Sequence, residues 1–222
     1  MKNPYYERSR LAAWKFRQLA HYFVMDLSAT DAAALTGLSR KTVTTIFLKL
    51  RQRIVRECER EGAHTVVDDA NDAPPVVSPH APEGAMSETS TLFGVVTRDG
   101  LIRTRAVAGG NRATPQAVIN GRALRAAPRD HEVLRDYEAL IDLRRLKLFR
   151  VNRQLHAAGD GGGAHFNSVE SFWSFAKRRL QKFNGVAQHT SYLHVKECEW
   201  RFNLRHRDLY RELLKLLRVH PL

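Results

Sequence analysis

Glu170, Trp173 and Lys177 stand at offsets zero, three and seven within residues 165–180. Polar residues open that run and a helical pattern follows, so the three side chains share one helical face. A carboxylate and a lysine two turns apart suit a metal site beside a phosphate chain. The carboxylate ligates a hard divalent cation, and the ammonium holds a phosphate oxygen as a point charge. Asn167-x-x-Glu170 also spells a capping box, in which the glutamate turns back to the helix start instead.

A second constellation lies near the N-terminus. Ser28-Ala-Thr-Asp opens a short helix, with Thr30 as the expected N-cap and Asp31 in the first turn. Gly37 ends it, and Ser39 caps a longer helix reaching to about Glu59. Ala33, Gly37 and Val43 have the spacing of a helix-turn-helix, whose second helix enters the major groove of DNA. Arg40, Lys41, Thr42, Thr44 and Thr45 are then outward-facing candidates for DNA contact. A helical hairpin that merely packs is the plainer alternative.

The charge agrees with a polyanionic partner. The 222 residues carry a formal net charge of +13, which favours nucleic acid. By segment the net is +6 over 1–62, −5 over 63–100 and +12 over 101–222, so two basic lobes flank an acidic, proline-bearing middle. The two cysteines, Cys58 and Cys198, lack CxxC spacing, which argues against a zinc ribbon or a disulfide scaffold. His165, His189 and His194 share no metal-ligand spacing. Neither a signal segment nor a membrane-spanning run is legible, and a cytoplasmic protein is the default expectation.

These residues need elements to position them. The pattern predicts a helix over 11–27 with Trp14, Phe16, Leu19, Phe23 and Val24 as its apolar residues. A strand is possible over 64–67, within a segment, 61–90, that otherwise reads as loop. A hairpin follows, with strands at 92–96 and 101–107 joined by Arg98-Asp-Gly. Thr114 and Pro115 open a helix to about Leu124. Residues 131–143 read as helical from Val133, Leu134, Tyr137, Leu140 and Ile141. A strand at 147–152, a glycine loop at 159–163 and helices near 167–183, 190–205 and 207–218 complete the chain. The class is α+β, a mixed sheet flanked by helices.

The pattern His165-x-Asn167-x-x-Glu170-Ser-Phe-Trp resembles the third-acid segment of DDE insertion-sequence transposases, in particular the ISXO-two-like group. Lys182-Phe-Asn-Gly, Tyr192-Leu-His-Val-Lys-Glu-Cys-Glu-Trp-Arg-Phe-Asn and the closing Leu213-Leu-Lys-Leu-Leu-Arg resemble it too. The likeness runs from about Asn152 to the end and over the first sixty residues, and thins between them. It implies a helix-turn-helix DNA-binding domain over 1–60, an irregular segment over 61–90, and an RNase H-like core with C-terminal helices over 91–222. It also implies three acids that hold two divalent ions, Mg²⁺ or Mn²⁺, for phosphodiester cleavage and strand transfer.

Only matching positions carry over. Val67-Asp68-Asp69 matches the group's opening-strand tripeptide and makes Asp68 the first acid; an acidic residue on a solvated turn is the alternative. Counting back from Tyr137 makes Glu132 the second, with Asp130 two residues earlier. Both could instead be first-turn helix acids favoured by the dipole. Glu170 is the third acid. Lys177 and Arg178 are then DNA-phosphate contacts, against an ordinary solvated basic face. Around 70–90 and 124–134 the residue types depart from the group's pattern while the spacing survives, as compensating frameshifts or unselected drift would leave it.

The resemblance implies a transposase that binds double-stranded DNA at its element's terminal repeats and at the target, acting as a homo-oligomer. A catalytically degenerate remnant that only binds DNA is the alternative. A helix-turn-helix regulator with a ligand-sensing C-terminal domain is a third reading, disfavoured by the text after Asn152.

Overall fold

The computed structural model describes residues 3–64, 92–107, 137–143, 146–150, 162–183 and 188–222. These form helices α1 (Ala13–Val24), α2 (Ala29–Thr36) and α3 (Arg40–His64), strands β1 (Leu92–Arg98), β2 (Leu101–Ala106), β3 (Ala139–Asp142) and β4 (Lys147–Arg150), then helices α4 (Gly162–Gln181), α5 (Gln188–Asn203) and α6 (Leu209–Val219). Helices and an antiparallel sheet in one chain make the α+β class plain. The chain divides into two units, 1–59 with 203–222, and 60–202. Among the described residues no helix is long and apolar enough to cross a membrane.

In the first unit, α1 buries Phe16, Leu19, Ala20 and Phe23, an i, i+3, i+4, i+7 stripe. Trp14, expected among its apolar residues, is 60% exposed. The cap of α2 is Ser28 rather than Thr30. The Ser28 hydroxyl oxygen accepts from the Asp31 N–H at 3.1 Å and donates to its carboxylate at 2.6 Å. A cap that finds an acid three residues on satisfies more groups than Thr30 could. Gly37 closes α2 at φ +67°, as expected, with its N–H on the Ala33 carbonyl at 2.9 Å. Helix α3 then buries Val43, Ile46, Phe47, Leu50 and Ile54.

Helix α6 packs in this same unit, whereas the sequence groups it with the segment that precedes it. Its N-cap Asp208 accepts from the N–H groups of Tyr210 and Arg211, and Leu213 and Leu217 are fully buried. The chain ends clasp one another: Leu222 N–H donates to the Tyr5 carbonyl and Glu7 N–H to the Leu222 carbonyl, both at 3.0 Å. The Arg53 guanidinium donates to the Pro221 carbonyl.

In the second unit the described strands run in the order β2-β1-β3-β4, and every pairing among them is antiparallel. The β1–β2 turn has positive φ at both Asp99 (52°) and Gly100 (71°), the geometry that tight hairpins favour. Residues 139–142 are a strand, not part of the helix expected over 131–143; residues 131–136 lie outside the described residues. Short apolar runs satisfy either period. Ala139, Leu140 and Ile141 are buried on both faces of β3, hydrogen-bonded between β1 and β4. Val169, Phe172, Trp173, Ala176 and Leu180 of α4 pack with Val195, Cys198 and Phe202 of α5 on Phe93, Val95, Ile102, Ala139 and Ile141. The opposite sheet face carries Leu92, Val107, Tyr137, Leu140 and Phe149.

Candidate functional site

Helix α4 begins at Gly162, five residues before the expected start at 167. Glycines read as loop are therefore helical. This extension changes the reading of Glu170. Asn167 and Glu170 lie inside the helix rather than at its start, where no first-turn N–H needs a cap. A capping box over these two residues is thus not what α4 uses.

The buried stripe of α4 fixes where its polar residues sit. Val169, Phe172, Trp173 and Ala176 face the core, with Trp173 only 9% exposed. Glu170 and Lys177 flank that stripe and are half-buried, whereas Ser171, Ser174 and Arg178 are exposed. The Arg178 Nε donates back to the Ser174 carbonyl at 3.3 Å. Glu170 and Lys177 thus border one packed tryptophan on a rigid helix, an arrangement that holds a carboxylate and an ammonium two turns apart.

Asp68, Asp130 and Glu132 lie outside the described residues. Among the described residues, no three His, Cys, Asp or Glu side chains gather where they could hold a metal ion. Glu170 supplies a hard oxygen donor, which suits Mg²⁺ or Mn²⁺ chemically. One carboxylate is not a site.

Among the described residues four acids are buried, and none was legible as special. Glu197 and Glu199 on α5 are fully buried. Glu197 Oε1 accepts from Arg179 at 2.5 Å and from Arg201 at 2.9 Å. Glu199 Oε2 accepts from the Thr104 N–H at 2.8 Å, the Thr104 hydroxyl at 2.6 Å and the Lys196 ammonium at 2.8 Å. Glu138 Oε1 accepts from the Thr97 N–H at 2.7 Å, and Asp142 is buried on β3. Glu197 and Glu199 are engaged by bases and backbone, so their negative charge is compensated inside the protein. The available signal was the spacing of their bases: Arg201 is four residues after Glu197, and Lys196 three before Glu199. Burial pushes the Cys198 thiol up from its ordinary range, although neighbouring Arg179 pulls the other way. A protonated buried thiol is a poor nucleophile.

In the first unit, Ser39 caps α3 by accepting from the Thr42 N–H at 3.1 Å, and the two hydroxyls lie 2.8 Å apart. The Thr42 hydroxyl is therefore engaged in the cap. The Thr45 hydroxyl donates to the Lys41 carbonyl at 2.9 Å. Arg40, Lys41, Thr42, Thr44 and Thr45 are all exposed at the start of α3. Of these, Arg40 and Lys41 carry charged donors at the exposed helix start, and Thr44 carries a hydroxyl on the same turn.

No family model matches the chain, and no solved structure matches it. The chain is 42% identical over 72 residues to an uncharacterized transposase-like protein of Haemophilus influenzae. That stretch is 32% of this chain and 56% of the relative's length, so the chain spans little more than half of the protein it resembles.

Proposed function

We propose that this chain is a transposase of a DNA insertion sequence, of the DDE kind and the ISXO-two-like group. The observation that carries the class is the 42% identity over 72 residues to a transposase-like protein. The interior, core-flanking position of Glu170 on α4 supports its place as an acid of the active centre. The first unit binds double-stranded DNA at the element ends, with Arg40, Lys41 and Thr44 at base edges and Thr42 in the cap that aims them. Asp68, Glu132 (or Asp130) and Glu170 hold Mg²⁺ or Mn²⁺ within an RNase H-like core, and Lys177 and Arg178 hold phosphates. Bound ions of this kind stabilise the attacking and leaving oxygens of phosphodiester cleavage and strand transfer. The protein acts as a homo-oligomer that joins two DNA ends.

The test incubates the protein with a fragment bearing the element's terminal repeats, with and without Mg²⁺ or Mn²⁺. Metal-dependent nicking that Glu170→Gln abolishes is the expected result. Retarded DNA without cleavage under either metal identifies a remnant that only binds. The departures from the group's text at 70–90 and 124–134 favour that second reading.

A further inference from the structure

We propose that Thr45 reads thymine through its γ-methyl group, so that the DNA site contains a thymine whose 5-methyl packs on this side chain. This rests on the reading of α3 as the helix that enters DNA, and it names what one position of that helix recognises. Thr42, Thr44 and Thr45 lie in the first two turns of α3, and all three are exposed. Val43, Ile46 and Phe47 between and beside them are buried and fix the side of α3 that meets the core. Threonine is a weak helix former, because its branched Cβ loses freedom against the preceding turn. Packing does not choose exposed positions, so helix stability alone would favour alanine, lysine or glutamate there.

Two of these threonines have other accounts. Thr42 belongs to the cap, where its hydroxyl lies 2.8 Å from that of Ser39, and Thr44 is already placed at a base edge. Thr45 takes no part in the cap. Its hydroxyl donates to the Lys41 carbonyl at 2.9 Å, one turn back on its own helix. A back-bond of this kind does not strengthen a helix. Neither burial, capping nor helix propensity therefore explains a threonine at this position.

The back-bond also decides what Thr45 can offer a base. A hydroxyl has one proton, and the Lys41 carbonyl takes it. While that bond holds, Thr45 does not donate to the acceptors of the major groove, which are N7 and O6 of guanine, N7 of adenine and O4 of thymine. The other branch of its Cβ is an apolar methyl on an exposed residue. The apolar group that a base edge presents in the major groove is the thymine 5-methyl, and a threonine methyl is one of the groups that pack on it. Lys41, placed at a base edge, is the neighbour of Thr45 one turn earlier on the same side of α3.

The experiment selects the preferred duplex of the full chain from a random-sequence pool, then remakes it with uracil in place of each thymine in turn. Uracil lacks only the 5-methyl group. At one position wild type is expected to bind the uracil duplex about fourfold more weakly, the worth of one buried methyl. Thr45→Val keeps a methyl and is expected to keep that ratio. Thr45→Ser keeps the hydroxyl but has no methyl, and is expected to bind the two duplexes equally. Both variants change an exposed position and should melt with wild type. Discrimination lost in Thr45→Val but kept in Thr45→Ser assigns the reading to the hydroxyl and overturns the inference. A uracil effect of equal size in all three proteins belongs to the DNA itself and also overturns it. Wild-type indifference to uracil at every position, or binding without any preferred sequence, overturns it and leaves the DNA-binding reading standing. Absence of wild-type binding to any duplex overturns both.

Discussion

The ring of Tyr137 lies across Gly94 so closely that a Cβ on the glycine would stand 2.3 Å from its Cδ1. Gly94 pairs with Leu140 in the β1–β3 ladder, and Tyr137 is buried at the entry to β3. An aromatic ring over a strand glycine covers backbone that glycine leaves bare. Gly94→Ala is expected to destabilise the second unit by about 1–3 kcal/mol through overpacking, read as a lower denaturation midpoint. Combining it with Tyr137→Ala should cost less than the sum of the two, because removing the ring removes the clash. Strict additivity would show that the ring does not limit the site.

Some elements were legible in the amino-acid sequence and others were not, for physical reasons. The β1–β2 hairpin was legible because alternation and Asp99-Gly100 spell strand, turn, strand. Helices α2 and α3 were legible from Gly37 and Ser39, although Ser28 took the cap from Thr30. The helix expected across 139–142 failed because Tyr137, Leu140 and Ile141 have helical spacing, and nothing local announces that β1 and β4 lie on either side. The acids of α5 escaped notice because charge patterns read as solvated surface. Only the fold brings Thr104 and Arg179 to them. The position of Glu170 was legible, but not that the helix begins five residues before 167.

Glu199 caps the open edge of the described sheet. Among the described residues strand β2 pairs only with β1, and the Thr104 N–H points away from that ladder into the Glu199 carboxylate. Its other oxygen, Oε1, accepts no hydrogen bond among the described residues and lies 3.9 Å from Arg103 Nη1. Glu199→Ala removes the buried carboxylate that accepts from the Thr104 donors and the Lys196 ammonium. The expected cost is about 3–5 kcal/mol, measured by denaturant unfolding. Thr104→Val, which leaves Lys196 its partner, should cost only about 1 kcal/mol. Equal losses would mean that the carboxylate's bond to the hydroxyl carries the whole interaction.

Cys198 gives the second unit an alkaline limit. Burial raises its thiol pKa above the ordinary value of 9.0. Below that pH the thiol is protonated in folded and unfolded chains alike. Above it, the unfolded thiol ionises while the folded one does not, so stability falls as pH rises past 9.0. Cys198→Ala should flatten that limb relative to wild type in melts taken across the alkaline range, at the expense of a small cavity. Cys198 should also resist thiol reagents until the protein unfolds. Rapid labelling of native protein in a Cys58→Ala background would contradict its burial.

Leu217 tests whether the two chain ends make one folded unit. It is fully buried on α6, with Leu213 one turn earlier, and the clasp between Tyr5, Glu7 and Leu222 follows directly after it. Truncating a buried leucine costs about 2–5 kcal/mol, a large share of the 5–15 kcal/mol that typically holds a domain together. Leu217→Ala should therefore raise amide exchange in α1 as well as in α6, because His21 and Tyr5 take contacts from that helix. Exchange in β1 and β3, which belong to the other unit, should change far less. Faster exchange confined to α6, with α1 still protected, would show instead that the N-terminal helices hold together without the C-terminal one.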